Sequence, residues 1–189
     1  MEDELTLEER TTLLCLAREA MELGVRGQKL PPLDESTLTM RLRQDGASFV
    51  TLMVRGQLRG CIGVLEPHQP LAQDVREHAV AAALEDPRFP RVHERELSGI
   101  QIELSRLTRP VPLEYSDAGD LISKLRPHVD GVILRDAFRR ATFLPQVWEK
   151  IPDAAEFLSN LCYKMGLHPD AWRTRHLEVL TYQVEEFHE

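Results

Sequence analysis

Cysteine is sparse. Cys15, Cys61 and Cys162 are widely spaced, odd in number and include no C-x-x-C pair. That excludes a disulfide framework and makes reduced thiols in a cytoplasmic protein the simplest reading. Positive charge is also short, with 23 Lys+Arg against 31 Asp+Glu and a net charge of −8. Such a balance argues against a general nucleic-acid binder, which needs a basic surface. Lysine is scarce, so nearly all the positive charge is arginine. No run approaches the roughly eighteen apolar residues of a membrane span, so no membrane association is expected. The chain opens Met1-Glu2-Asp3-Glu4, without the basic and apolar regions of a signal peptide. The phosphate-binding patterns G-x-G-x-x-G and G-x-x-x-x-G-K-[ST] and the G-x-S-x-G elbow are missing. The seven histidines show no H-x-H, H-x-x-x-H or H-E-x-x-H spacing. Hence no cofactor and no metal site is expected.

What remains is an ordinary globular balance, 42% hydrophobic and 29% charged over 189 residues. This suits one compact unit or two small lobes. Thr6-Leu7-Glu8-Glu9 fits a capping box, and Leu13, Leu16, Ala17, Ala20 and Met21 continue a helix over 7–23 that Gly24 would stop. Residues 24–37 read as a loop. Residues 48–54 are nearly all apolar or β-branched and read as a strand. Gly56-Gln57 would turn it, by a type II′ turn, into a returning strand over 58–65. Pro70 opens a helix with Leu71, Val75, Ala79 and Ala82 on one face, and Asp86-Pro87-Arg88-Phe89-Pro90 ends it. Alternation of Ile100, Ile102 and Leu104 with polar residues marks a half-buried strand. A short helix before Pro127, a second hairpin over 131–144, a helix over 153–165 and a last strand through Leu180, Tyr182 and Val184 follow. Arg55 and Arg59 find counterparts in Arg135 and Arg139 at an offset of 80, suggesting a duplicated helix–hairpin unit. The expected class is α+β, with a mixed or antiparallel sheet, helices, and two unequal lobes around a cleft.

One segment carries the chemistry: Leu58-Arg59-Gly60-Cys61-Ile62-Gly63. Strict strand alternation puts Leu58, Gly60 and Ile62 on one face and Arg59, Cys61 and Gly63 on the other. Arg59 then lies roughly 6.5–7 Å along the strand from Cys61. A guanidinium that near favours a thiolate. Gly63 would leave space beside the sulfur, and Gly60 would let a backbone or ligand approach. Against this stands the reading of Cys61 as a small buried hydrophobe. Cys15 and Cys162 lie on apolar helical faces and read as structural.

The hexapeptide resembles the LRGCIG motif of the AMMECR-one-like family, whose prokaryotic members are also called AmmeMemoRadiSam system protein A. Further stretches are similar to the same family: residues 85–90, 102–105, 129–134, 142–148 and 156–162. In this order they cover nearly the whole chain, which reads as a single AMMECR-one-like domain over 1–189. Val64 departs from the usual Thr and Arg91 from a common second Pro. The resemblance implies two unequal lobes, the hexapeptide facing a cleft, and company with a Memo-type protein and a radical S-adenosylmethionine enzyme. It supplies no established reaction.

Two functions compete. In the first, an enzyme component, Cys61 is a nucleophile or transient group carrier and Arg59 holds the thiolate or an anionic substrate. Glu103 serves as base or orients Arg59, and Arg88 adds an anion contact. Leu58, Gly60, Ile62 and Gly63 line the ligand. In the second, a non-catalytic module, the same strand docks a small anionic ligand or a protein partner. Gln146 and Trp148 fit either site, although an indole is more often core. Arg135, Arg139 and Arg140 give a weaker nucleic-acid reading.

Overall fold

The structure is a computed structural model that describes residues 4–189. The elements run α1 (Leu7–Val25), α2 (Met40–Arg43), β1 (Asp45–Val54), β2 (Gln57–Gly63), β3 (Gln69–Pro70), α3 (Leu71–Leu84) and β4 (Ile100–Leu107). Then follow β5 (Val111–Pro112), α4 (Ala118–Lys124), β6 (Gly131–Asp136), β7 (Arg139–Phe143), α5 (Ala154–Lys164), α6 (Ala171–Thr174), β8 (Glu178–Tyr182) and β9 (Val184–His188). The class is α+β with antiparallel pairing. The chain forms two units, one up to Leu107 that regains Glu185–Glu189, the other Thr108–Val184.

In the first unit the sheet order is β2-β1-β4-β9, with β3 paired to β1. The capping box forms: Thr6 Oγ1 accepts the Glu9 N–H at 3.2 Å and the Glu9 carboxylate accepts the Thr6 N–H at 2.9 Å. The helix runs on through Gly24 rather than stopping there. Gly24 instead meets α3, where an added Cβ would lie 2.9 Å from Val80 Cγ1. Val50, Leu52, Ile102 and Leu104 turn one sheet face toward α1 and α3 and are fully buried with Leu13, Met21, Leu71, Val75 and Ala79. Each Val, Leu, Ile or Met among them contributes about 1.5–3 kcal/mol on burial. Ser48 Oγ donates to the buried Asp74 Oδ2 at 2.6 Å and ties α3 to β1.

The β1–β2 turn is centred on Arg55-Gly56, at φ 52° and 74°, not on Gly56-Gln57. Two successive positive φ values belong to a type I′ turn, whose twist matches the strands it joins. The register then slips. Met53 pairs with Leu58 but Leu52 pairs with Gly60, so Arg59 is the extra residue of a β-bulge.

The second unit orders its strands β5-β8-β6-β7. Its core holds Trp148 stacked on Phe157, ring centroids 3.7 Å apart, with the indole N–H donating to the Asp130 carbonyl at 2.7 Å. The expected single last strand is two strands. Its pairing is interrupted at Gln183, beyond which β9 joins the other sheet.

The helix–hairpin–helix–strand series occurs twice, as α1-β1-β2-α3-β4 and α4-β6-β7-α5-β8. In both, the first hairpin strand pairs antiparallel with the strand that follows the second helix. The turns align Val54↔Gln57 with Asp136↔Arg139, an offset of 82. The offset of 80 that matched the arginines is therefore two residues out. Among the described residues, no helix is long and apolar enough to cross a membrane.

Candidate functional site

Cys61 lies on β2, the edge strand of its sheet, and is half-buried. Its side chain shares a face with Thr51 of β1 and Glu103 of β4, which are paired in one row: Cys61↔Thr51↔Glu103. This face is opposite the one that packs on α1 and α3. Strands about 4.8 Å apart place the Cα atoms of Cys61 and Glu103 roughly 10 Å apart. The neighbouring rows are Gly63–Phe49–Ser105 and Leu58–Met53–Gln101. Leu58 thus stands on the Cys61 face, contrary to strict alternation, because the bulge at Arg59 shifts the period. Ile62 lies on the helix side, packed against the core.

An edge strand must satisfy outward backbone groups. Cys61 does so through the loop after α3. Its N–H donates to Asp86 Oδ2 at 2.8 Å, and its carbonyl accepts from Arg88 Nη2 at 3.2 Å. Asp86 is buried and receives Arg88 Nε at 2.9 Å, Arg88 Nη2 at 2.7 Å and the Arg88 backbone N–H at 3.0 Å. The Arg88 hydrogen bond is the main cause holding the Asp86 carboxyl far below the ordinary carboxylate range, with the Cys61 N–H adding to it against the effect of burial. Arg88 is raised above its ordinary value, chiefly by Asp86 and additionally by charge and hydrogen bonding to the Cys61 side chain. Thr51 Oγ1 donates to Cys61 Sγ at 3.3 Å. A hydroxyl therefore addresses the sulfur, and a guanidinium the carbonyl of the same residue.

Arg59 is placed elsewhere. Nε donates to Glu96 Oε1 at 2.9 Å, Nη1 to the Pro90 carbonyl at 2.8 Å and Nη2 to the Arg91 carbonyl at 3.3 Å. The Glu96 carboxyl is lowered, mainly by that hydrogen bond. The bulge aims Arg59 at the 90–96 loop, and the cation bonded to Cys61 is Arg88, at the carbonyl. Sequence alternation puts Arg59 beside the thiol and leaves Arg88 as a further anion contact.

The glycines do not keep an opening vacant. A Cβ on Gly60 would lie 2.1 Å from the Ala82 carbonyl oxygen of α3, and one on Gly63 would lie 2.3 Å from the Ser48 carbonyl oxygen and 2.5 Å from Phe49 Cγ. Both spaces are filled by the chain itself. The sulfur itself stands on the sheet face away from α1 and α3.

Thr51 and Asp86 are the contributors that sequence reasoning missed. Thr51 was legible only as a β-branched strand residue, since a pairing register was needed to set it against Cys61. Asp86 read as part of a helix terminator. Cys15 is exposed on α1 rather than on its apolar face, whereas Cys162 is buried and burial pushes its thiol up. Trp148 is core, and Gln146 is exposed in the second unit. The hairpin arginines have internal partners: Arg135 pairs with Glu178 at 3.3 Å and Arg139 donates to the Gly166 carbonyl at 2.6 Å. Among the described residues, no group of three or more His, Cys, Asp or Glu is placed to hold a metal ion.

The AMMECR1 family model matches residues 14–187. The chain belongs to the AMMECR1 family. A protein of Methanothermobacter thermautotrophicus is 43% identical over 98% of this chain and 96% of its own length. One from Thermofilum pendens is 39% identical over 97% and 91%. The crystal structure of an uncharacterised Pyrococcus horikoshii protein superposes with a TM-score of 0.72 at 33% identity, covering 94% of this chain and 89% of that one. AMMECR1 membership fixes the fold but brings no named reaction from these relatives, so the site must be read from its own chemistry.

Proposed function

We propose that this AMMECR1 protein is a cytoplasmic enzyme component in which Cys61 acts as a nucleophile or transient group carrier. The observation that carries the reading is the Thr51 hydroxyl donating to the sulfur at 3.3 Å, beside the Arg88 guanidinium that Asp86 fixes and that donates to the carbonyl of the same cysteine at 3.2 Å. A hydrogen-bond donor at the sulfur and a cation beside the same residue suit a cysteine that attacks an electrophile. Arg88 takes the role first given to Arg59, while Arg59 secures the loop that carries Arg88. Glu103, one strand beyond Thr51, faces a bound substrate rather than the sulfur. The family resemblance gives the setting: a Memo-type protein and a radical S-adenosylmethionine enzyme as partners, with a small anionic group as ligand.

Iodoacetamide labelling across pH, with peptide mapping, tests this. Cys61 is expected to react at pH 7 faster than an unstructured thiol, and Cys61→Ser to abolish function with the partners. Labelling of Cys61 no faster than an unstructured thiol, and only above about pH 8, would remove the nucleophile. A second reading draws on the neighbouring row of Leu58, Met53 and Gln101 with the exposed Leu58: a binding module in which Cys61 only packs. Cys61→Ser would then leave partner binding nearly intact.

A further inference from the structure

The helix side of β2, opposite the Cys61 face, borders a cavity of about 450 Å³ that runs along α3. Its apolar walls are Leu30, Ile62, Val80 and Ala81. The polar side chains that line it are Glu77, His78 and Glu85, from α3 and its C-cap, and none is a lysine or an arginine. His78 is nine-tenths buried, at 9% exposure. A buried imidazole is more often a satisfied core group, but this one is satisfied on one side only. Its Nδ1 donates to the fully buried Asp74 Oδ2 at 3.2 Å, and the Ser48 hydroxyl donates to the same oxygen at 2.6 Å. An ionised carboxylate only accepts, so Nδ1 carries the ring proton and Nε2 keeps its lone pair. Among the described residues, none donates to that Nε2.

The two carboxylates are acceptors as well. Glu77 is held by Gln73 Nε2 at 2.8 Å and Gln69 Nε2 at 2.9 Å, and these amides, Gln73 first, keep its carboxyl below the ordinary value. Glu85 is exposed and has no ion pair among the described residues. The cavity thus sets acceptors and negative charge beside apolar walls, on a chain of net charge −8. Such a lining suits a cation that carries hydrogen-bond donors and an apolar body. Spacing decides its shape. The eight residues from Glu77 to Glu85 rise roughly 12 Å along the helix, with Ala81 between them. A metal ion needs ligands that converge, and among the described residues no group of three or more His, Cys, Asp or Glu does so. Acceptors spread along a trough suit an extended cation. We infer that this cavity binds a linear aliphatic polyamine. One ammonium sits at Glu77 and His78, another at Glu85, and the methylenes between them lie on Ile62, Val80 and Ala81. The site is on the other side of β2 from the sulfur, so the inference goes beyond the nucleophile reading and does not depend on it.

Isothermal titration calorimetry of the full chain at physiological salt tests this, with spermidine and butylamine as probes. Spermidine should saturate at one per chain. Butylamine, with a single ammonium, should bind about tenfold or more weakly. Glu85→Gln should weaken spermidine about two- to fivefold, as for an exposed ion pair. Ala81→Phe, which fills the middle of the trough without changing charge, should abolish binding, with folding checked by circular dichroism. Glu149→Gln removes the same charge from an exposed position of the second unit and should leave binding unchanged. Absence of saturable spermidine binding would overturn the site. Equal weakening by Glu85→Gln and Glu149→Gln would reduce it to diffuse attraction toward a negative surface. Butylamine as tight as spermidine would overturn the two-ended assignment. If Ala81→Phe fails to fold, the comparison of Glu85→Gln with Glu149→Gln still decides.

Discussion

The two units repeat one strand order, but they differ in the residues on the sheet face away from the helices. Aligned through their turns and corrected for the bulge, the row Cys61–Thr51–Glu103 of the first sheet corresponds to Thr142–Ile133–Leu180 of the second. The first row holds a thiol, a hydroxyl and a carboxylate; the second holds a hydroxyl and two aliphatic groups. The helix-facing rows correspond as well: Leu52, Gly60 and Ile102 match Leu134, Ala141 and Val179. Charge divides the same way. The first unit carries 13 basic and 21 acidic residues and the second 10 of each, so the whole excess of −8 belongs to the unit with the thiol. The repeated part of the design is the packing face. The polar row of the first unit sits on the opposite face, where a residue can change without unpacking a helix.

The sharpest way to break this correspondence is to exchange the residues at its tightest matching point. Gly60→Ala would place a methyl 2.1 Å from a helix carbonyl, a backbone contact that cannot yield cheaply. The expected loss is about 3 kcal/mol, as for severe overpacking. The second unit already has alanine at the equivalent position, and Ala141→Gly should cost only about 0.5–1 kcal/mol, the strand entropy of glycine. Urea unfolding of the two variants measures the difference. Equal losses would mean that the two hairpins do not present equivalent faces to their helices.

Asp86 belongs to the first unit alone, and a smaller effect follows from it. Asp86→Ala leaves the Cys61 N–H without its partner, at about 1–3 kcal/mol for an unsatisfied donor. The pH dependence has a definite sign. The folded carboxyl lies below its unfolded value of 3.8, so its contribution is fully present above that pH and is lost as pH falls toward the folded value. Acid unfolding of the wild type should therefore steepen below about pH 4, and Asp86→Asn should lack that component. An unchanged acid limb in Asp86→Asn would show that the clamp contributes nothing to stability.

Much of this organisation was legible beforehand, for identifiable reasons. The capping box at Thr6 and Glu9, the two hairpins and the stop at Asp86-Pro87 are local, and local propensity reports them directly. The bulge at Arg59 was not legible, because one inserted residue leaves no compositional trace yet exchanges the apparent faces of everything on one side of it. That single slip misassigned Arg59 and hid Leu58 from the Cys61 face. The break at Gln183 was hidden for a similar reason, since Leu180, Tyr182 and Val184 keep alternating while the chain changes sheets. Thr51 and Asp86 lie 10 and 25 residues from Cys61, and only pairing and loop closure bring them to it.

The smallest effect is expected from moving the thiol and its hydroxyl to the second unit. Thr142→Cys with Ile133→Thr rebuilds the Cys61–Thr51 pair at the corresponding positions of β7 and β6. Thr142 is half-buried there, with its hydroxyl 3.1 Å from the Tyr182 hydroxyl, so the new sulfur keeps some access to reagent. The transplant brings no loop like Asp86–Arg88, and at pH 7 it should be alkylated no faster than an unstructured thiol, measured in a Cys61→Ser background. If the transplanted cysteine matched Cys61 in rate, strand pairing with threonine would suffice to activate a thiol on this scaffold. The Asp86–Arg88 clamp would then be an edge seal with no part in the chemistry. A slow transplant beside a fast Cys61 assigns the difference to the guanidinium, the one donor that the repeated scaffold does not supply.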